Sequence, residues 1–210
     1  MSPKELLDVM QNRVSVKKYK DQDIERDKIG KVLEAARWAP SAGNMQSWEF
    51  IIVEDYDLRQ KLSQYSYNQE HIREAPVCLV ILGDREKART KFEERGENLY
   101  MIQETAAAMQ NMLLMAESLG LGAAWVGAFN EENVADLLDV PNELRPMAMI
   151  TLGYPRERSN PPNKYRVTDV TYMNRYGNRV HAIYDKIVWQ GAREYARKAK
   201  NALKRKLGGS

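Results

Sequence analysis

Three polar residues at alternate positions, Arg13, Ser15 and Lys17, follow a predicted first helix. In an extended backbone, residues two apart point to the same side. A guanidinium, a hydroxyl and an ammonium on one side suit a phosphate monoester, because charge-assisted hydrogen bonds are strong. The alternative is a solvated basic turn that leads into Lys18 and Lys20, and this segment alone leaves both interpretations open.

A second polar segment runs from Ala39 to Phe50, with the sequence APSAGNMQSWEF. A helix is predicted to end at Pro40, and a loop carrying Ser41 and Asn44 leads into an aromatic-rich strand. Small residues let backbone and amide groups approach a flat polar ligand closely. An ordinary helix-to-strand loop would not require serine, asparagine and glutamine together with two aromatic residues, so the pattern favours a ligand site.

The sequence lacks the known motifs for zinc binding, for nucleotide-phosphate binding and for a serine nucleophile. His71 and His181 are far apart and Cys78 is the single cysteine, which gives no zinc-ligand spacing and no internal disulfide. There is no P-loop, no G-x-G-x-x-G fingerprint and no G-x-S-x-G nucleophile elbow. We therefore expect a cofactor to carry the reaction.

Hydrophobic spacing predicts the elements that position these segments. Ser2, Pro3 and Glu5 form a capping-box pattern that begins the first helix. The later elements are a helix over 27–38, strands over 48–53 and 76–83, a long helix over 97–119, a strand over 123–126, a short helix capped by Asn130, and a strand over 147–152. Cys78 is predicted to be a buried small hydrophobe, and the methionines of the long helix to fill core and interface.

Composition and charge narrow the class of protein. The chain has 210 residues, 43% hydrophobic and 29% charged, without an apolar run of membrane-spanning length, which predicts a globular cytoplasmic protein with no membrane segment. The net charge of +3 combines a tail of +7 between Lys186 and Lys206 with −4 elsewhere. Apolar residues interleave with these charges, as in an amphipathic helix docked on protein. A nucleic-acid-binding tail is the less favoured alternative.

Four segments together resemble the nitroreductase family of FMN enzymes. They are, in the family's order and spacing, RVSVK at 13–17, APSAGNMQSW at 39–48, LGLGAAWVG at 119–127 and LGYP at 152–155. The similarity covers residues 3–176, and the combination is far more specific than any one segment. The resemblance implies an α+β fold with a central, mostly antiparallel sheet flanked by helices. It also implies a homodimer, with the long helix over 97–119 buried at the interface.

The resemblance also implies roles for individual residues. Arg13, Ser15 and Lys17 would hold the phosphate and ribityl end of FMN, with Val14 contributing backbone. The remaining implied FMN contacts are Pro40, Ser41, Ala42 and Asn44 from the other subunit, Trp125, Val126 and Gly127 along the isoalloxazine, and Arg156, Lys164 and Arg166 at the phosphate. We accordingly predict an FMN-binding domain over 1–178 and a basic helical extension over 179–210 that packs on the dimer.

The resemblance implies that the protein would transfer electrons from NADH or NADPH to a small nitroaromatic, quinone or flavin acceptor, by a ping-pong mechanism. A flavin-fragmenting or dehalogenating activity on the same fold is the alternative. Substrate choice would depend on loops over 63–74 and 87–98, where Tyr65, Tyr67 and His71 are either a pocket wall or ordinary surface residues.

Three positions depart from the family's pattern. Lys17 replaces a frequent arginine, which keeps the charge but loses the bidentate fork. Val14 replaces a common basic residue. Ser47 replaces the usual proline before Trp48, and we expect the turn there to be looser.

Overall fold

A computed structural model describes residues 2–180 of the chain. The chain divides into two compact units, the first ending at Pro161 and the second beginning at Pro162. In the second unit, a short 3-10 turn spans Val167–Asp169, and an isolated bridge pairs Tyr172 with Arg179. The predicted helix of the basic tail lies outside the described residues.

The first unit contains seven α-helices among the residues described. They are α1 (Pro3–Asn12), α2 (Arg26–Arg37), α3 (Tyr56–Tyr65), α4 (His71–Glu74), α5 (Arg85–Arg95), α6 (Met101–Ser118) and α7 (Glu131–Leu137). The capping box predicted at Ser2 is present, and Asn130 caps α7 as expected. Within residues 2–180, no helix is both long and apolar enough to cross a membrane.

Helix α1 buries none of its residues. Its apolar side chains Leu6, Leu7 and Met10 are 39%, 50% and 45% exposed. An amphipathic helix normally turns such a stripe toward protein. The apolar stripe of α1 is therefore an uncovered face of this single chain.

Four antiparallel strands form the central sheet, as the resemblance implied. They are β1 (Trp48–Val53), β2 (Val77–Asp84), β3 (Gly122–Val126) and β4 (Leu144–Gly153), and their order across the sheet is β1-β2-β4-β3. In the central strand β2, Val77, Leu79 and Ile81 belong to one core cluster, and Cys78, Val80 and Leu82 to another. The alternation shows that helices cover both faces of the sheet, which explains why β2 is one continuous apolar run.

The long helix α6 lies in the core on the face shared with α2. Met101, Met109 and Met112 are buried, as predicted for core methionines. The predicted start at residue 97 is four residues early, because a π-helical turn over Gly96–Tyr100 precedes α6. Cys78 is fully buried, and burial raises the pKa of its thiol to about 12.

Candidate cofactor site

Residues Arg13–Lys17, called here the edge segment, lie along the free edge of β3. Ser15 forms a parallel bridge with Ala123, and the Val16 N–H donates to the Ala123 carbonyl at 2.9 Å. Val14 and Val16 are buried, whereas Ser15 and Lys17 are exposed and Arg13 is half-buried. The predicted alternation is confirmed: the three polar side chains point away from the side that the valines bury.

Two contacts fix the edge segment against the sheet. Gly122 admits Val16 so closely that an added side-chain carbon at residue 122 would lie 2.7 Å from Val16 Cγ1. The buried Tyr19 hydroxyl donates to the Val16 carbonyl at 2.6 Å and shares a hydrogen bond of 2.7 Å with Thr151 Oγ1. Burial raises the pKa of Tyr19, so its hydroxyl stays protonated and available for these bonds.

The end of β3 provides an apolar surface near the edge segment. Trp125 is 43% exposed, and Val126 is buried. A side-chain carbon built at Gly127 would lie 3.4 Å from Trp125 Nε1, so the indole lies over the Gly127 backbone. Because the edge segment runs parallel to β3, its Lys17 end leads toward Trp125–Gly127.

The chain between α3 and α4 packs against the residues that follow β3. The Asn130 N–H donates to the Tyr65 carbonyl at 2.8 Å, and Gln69 Nε2 donates to the Ala128 carbonyl at 3.0 Å. Tyr67 is exposed and has a left-handed backbone, with φ of 57°. The chain over 65–69 therefore lies against the residues just beyond β3, the end of the strand toward which Lys17 leads.

His71 contributes an unexpected polar atom to this region. It is only 6% exposed, and its Nε2 has no hydrogen-bond partner among residues 2–180. Burial, and secondarily the nearby Lys17 ammonium, lowers the pKa of His71. A buried polar atom without a partner is costly unless something binds it. The sequence left His71 as either a pocket wall or an ordinary surface residue, and its burial excludes the second. The unpaired nitrogen could not be predicted, because it depends on packing.

The second predicted segment lies at the start of β1. In the Ser41–Ser47 loop, Gly43, Asn44 and Gln46 have left-handed φ values of 54°, 59° and 55°. Side chains of two helices hold the loop: Lys91 and Lys87 of α5 donate to the Gly43 and Gln46 carbonyls at 2.8 and 3.2 Å. Glu104 of α6 binds the loop from the core side.

The expectation of a looser turn at Ser47 is wrong. Ser47 is fully buried, its N–H donates to Glu104 Oε1 at 2.8 Å, and its hydroxyl donates to the same oxygen. Proline has no N–H to donate. Serine at position 47 therefore adds two attachments at this turn, and the turn is tied to the core.

The edge segment and the Ser41–Ser47 loop lie on opposite edges of one sheet. The edge segment lies beside β3, while the loop leads into β1. These two strands are the outermost of the four, so β1 and the edge segment are separated by four interstrand steps, or roughly 19 Å. A single chain therefore does not bring the two predicted halves of the site together.

The three basic residues predicted after β4 fall in different units. The Arg156 N–H donates to the Lys18 carbonyl at 2.9 Å, so Arg156 follows the edge segment closely in space, with an exposed side chain. Lys164 and Arg166 belong to the second unit, where Arg166 forms an ion pair of 2.8 Å with Asp169. Their part in phosphate binding stays a prediction.

The antiparallel sheet covered by helices defines an α+β fold, and the basic polar edge segment beside an exposed tryptophan is its candidate ligand site. The sequence profile of the Nitroreductase family matches residues 10–69 and 63–154, more than half of the chain. The chain belongs to the nitroreductase family.

Named relatives agree with this assignment. A Methanothermobacter thermautotrophicus protein named for NADH dehydrogenase and NAD(P)H nitroreductase is 30% identical over 161 residues, covering 75% of this chain and 81% of the relative. An FMN reductase [NAD(P)H] of Bacillus subtilis is 26% identical, covering 83% and 76%. The crystallised FMN-dependent nitroreductase of Clostridium difficile has a TM-score of 0.70 at 27% identity, covering 81% of this chain and 99% of that one.

Proposed function

We propose that this protein is an FMN-dependent NAD(P)H oxidoreductase that works as a homodimer. The observation that carries the proposal is the edge segment, which presents Arg13, Ser15 and Lys17 on one side, with its Lys17 end leading toward the exposed Trp125. Relatives named as an FMN reductase and an FMN-dependent nitroreductase support the choice of cofactor and donor.

The edge segment fits the phosphate end of FMN. Arg13 offers a forked donor, Ser15 a hydroxyl and Lys17 a point charge, and charged donors bind phosphate strongly. Val14 contributes its backbone, since its side chain is buried. Arg156, which follows Lys18 in space, would add a further cation.

The end of β3 fits the ring system. When bound, FMN supplies the capacity to accept a hydride and to pass electrons on. Trp125 would line its rings, and Val126 and Gly127 would offer backbone N–H groups, since the Val126 side chain is buried. His71 would be neutral at physiological pH, because burial and, secondarily, the Lys17 ammonium lower its pKa.

The partner subunit would complete the site. Because the Ser41–Ser47 loop and the edge segment lie on opposite edges of the sheet, Pro40, Ser41, Ala42 and Asn44 would reach the flavin of the other subunit. The uncovered apolar stripe of α1 supports an association with a second copy. The site would thus exist only in the dimer.

Donor and acceptor would use one open face of the flavin in turn, which gives ping-pong kinetics. The acceptor would be a small nitroaromatic, quinone or free flavin. We expect double-reciprocal plots at several acceptor concentrations to be parallel, with NADH and NADPH each tested against the three acceptor classes. Intersecting lines would contradict the alternating use of one face.

The cofactor itself provides the main test. The purified full-length protein should be yellow, and flavin released by denaturation should be FMN by chromatography and mass. Recovery of FAD alone, or no visible flavin band after incubation with FMN, would overturn the proposal. Nucleic-acid binding in a protein that takes up no flavin would favour the alternative based on the basic tail.

A further inference from the structure

Glu104 is a buried carboxylate that the flavin chemistry does not use. It lies near the start of α6 and is 3% exposed. Its Oε2 accepts the Ala42 N–H at 3.1 Å, and its Oε1 accepts both the N–H and the hydroxyl of Ser47. Within residues 2–180 it forms no ion pair. Its hydrogen-bond partners there, Ala42 and Ser47, both belong to the Ser41–Ser47 loop.

The loop needs such an attachment because its backbone is unfavourable by itself. Asn44 and Gln46 both have left-handed φ values, which residues with a side chain adopt at a cost in free energy. Conformations of this kind persist where the surrounding structure determines them. Glu104 binds amides on both sides of the left-handed stretch, so its two oxygens help to define the distance between the loop's ends. The Ser41 hydroxyl, which accepts the Gln46 N–H at 3.1 Å, is the second bridge across the loop.

We propose that Glu104 is a positioning residue for the flavin site: it fixes the Ser41–Ser47 loop on α6 in the shape that the partner subunit's flavin requires. This inference rests on the proposed function. Ser47 belongs to the same contact, because a proline at this position would have neither the N–H nor the hydroxyl that donates to Glu104.

The chemistry of the contact makes Glu104→Gln a sharp test. Both carboxylate oxygens act as acceptors, whereas a glutamine has one oxygen and an amide that only donates. In either orientation the NH2 group of the glutamine faces a backbone N–H of the loop, and two donors cannot bond to each other. The hydrogen bond at one end of the loop is therefore lost, while the side-chain volume is kept. Thr105→Ala is the matched control, since this neighbouring buried hydroxyl donates to Met101 of its own helix.

The first measurement does not depend on flavin. Hydrogen exchange by mass spectrometry on the full-length protein, stripped of flavin, should show faster exchange in peptides covering 41–47 for Glu104→Gln. We expect an increase of roughly tenfold, the loss of about one charged hydrogen bond. Thr105→Ala should leave these peptides unchanged. Wild-type exchange rates in Glu104→Gln would overturn the proposal.

The second measurement uses FMN. Glu104→Gln should raise the FMN dissociation constant roughly tenfold and alter the visible circular dichroism of the bound flavin, while Ser47→Ala should raise the constant a few-fold. Thr105→Ala should bind FMN as the wild type does. Equal affinities and spectra for Glu104→Gln and Thr105→Ala would contradict a positioning role even if both variants lose thermal stability.

The two proposals fail separately. If the wild-type protein binds no FMN, the proposed function fails, and the exchange experiment still decides whether Glu104 holds the loop. If the wild type binds FMN and Glu104→Gln binds it equally well, only the positioning role fails. Should Glu104→Gln not fold, Ser47→Ala replaces it, since it removes a hydroxyl bond and keeps the N–H.

Discussion

The two predicted halves of the site are held in different ways. The edge segment is part of a backbone ladder: it hydrogen-bonds to β3 and buries every second side chain. The Ser41–Ser47 loop joins the ladder only at Ser47, whose carbonyl accepts the Asp84 N–H at 3.0 Å. Its left-handed part is held mainly by side-chain contacts, which come from α5, from α6 and from the loop's own Ser41. Changing a polar side chain of the edge segment should therefore affect binding alone, whereas the loop loses both shape and binding when its remote anchors change.

The largest effect is expected for Arg13→Ala. Losing a charged hydrogen bond to phosphate, worth about 1.5–3 kcal/mol, should weaken FMN binding roughly tenfold to a hundredfold. The melting temperature without flavin should stay at the wild-type value, because the valines and the ladder hold the segment. Arg26→Ala is a suitable control, since this exposed arginine pairs with Glu54 elsewhere. Unchanged FMN affinity in Arg13→Ala would show that the edge segment is not part of the phosphate site.

Mixing variants tests whether the two halves meet across the dimer. Arg13→Ala and a Ser41→Ala, Asn44→Ala double variant should each bind FMN poorly alone. In a mixed dimer one site carries both sets of substitutions and the other carries none. Random subunit exchange makes about half of the dimers mixed, so about a quarter of all sites should regain wild-type affinity. If both halves belonged to one chain, every site would keep a lesion. Confirmed exchange without recovery would thus contradict the shared site.

A smaller effect, on stability, is expected from substituting His71, a buried histidine whose pKa the Lys17 ammonium helps to lower. Its pKa in the folded protein is lowered, chiefly by burial and then by Lys17, so the unfolded chain takes up the proton at higher pH. Stability should consequently fall as the pH drops below about 6.5. In flavin-free protein, His71→Gln should flatten the decline of melting temperature between about pH 7.5 and 5.5. A slope equal to that of the wild type would show that His71 does not titrate in this way.

Local sequence patterns predicted most of the architecture. The strand over 48–53 and the caps at Ser2 and Asn130 are where the sequence places them, because alternation and capping are decided by neighbouring residues. The alternation at 13–17 likewise predicted which side chains the edge segment exposes. The start of α6 was missed because a single π-helical turn is too short to leave a period of its own in the hydrophobic pattern.

Contacts between residues far apart in sequence were not predictable in this way. Ser47 and Glu104 are 57 positions apart, and neither residue alone indicates the other. The proline-to-serine departure signalled a looser turn only because its partner was unknown. His71 is similar, since a histidine before a buried strand is ordinary, and its unpaired nitrogen is a property of the packed fold.

The uncovered face of α1 has a thermodynamic consequence. A ten-residue helix is marginal in water on its own, and Arg13 is the residue that caps its C-terminus. In the proposed dimer, a partner surface that buries Leu6, Leu7 and Met10 would stabilise α1, and with it the position of Arg13. Subunit association and cofactor binding are then linked equilibria, each shifting the other by mass action. Dilution that separates the subunits would release flavin, and added flavin would draw the subunits back together.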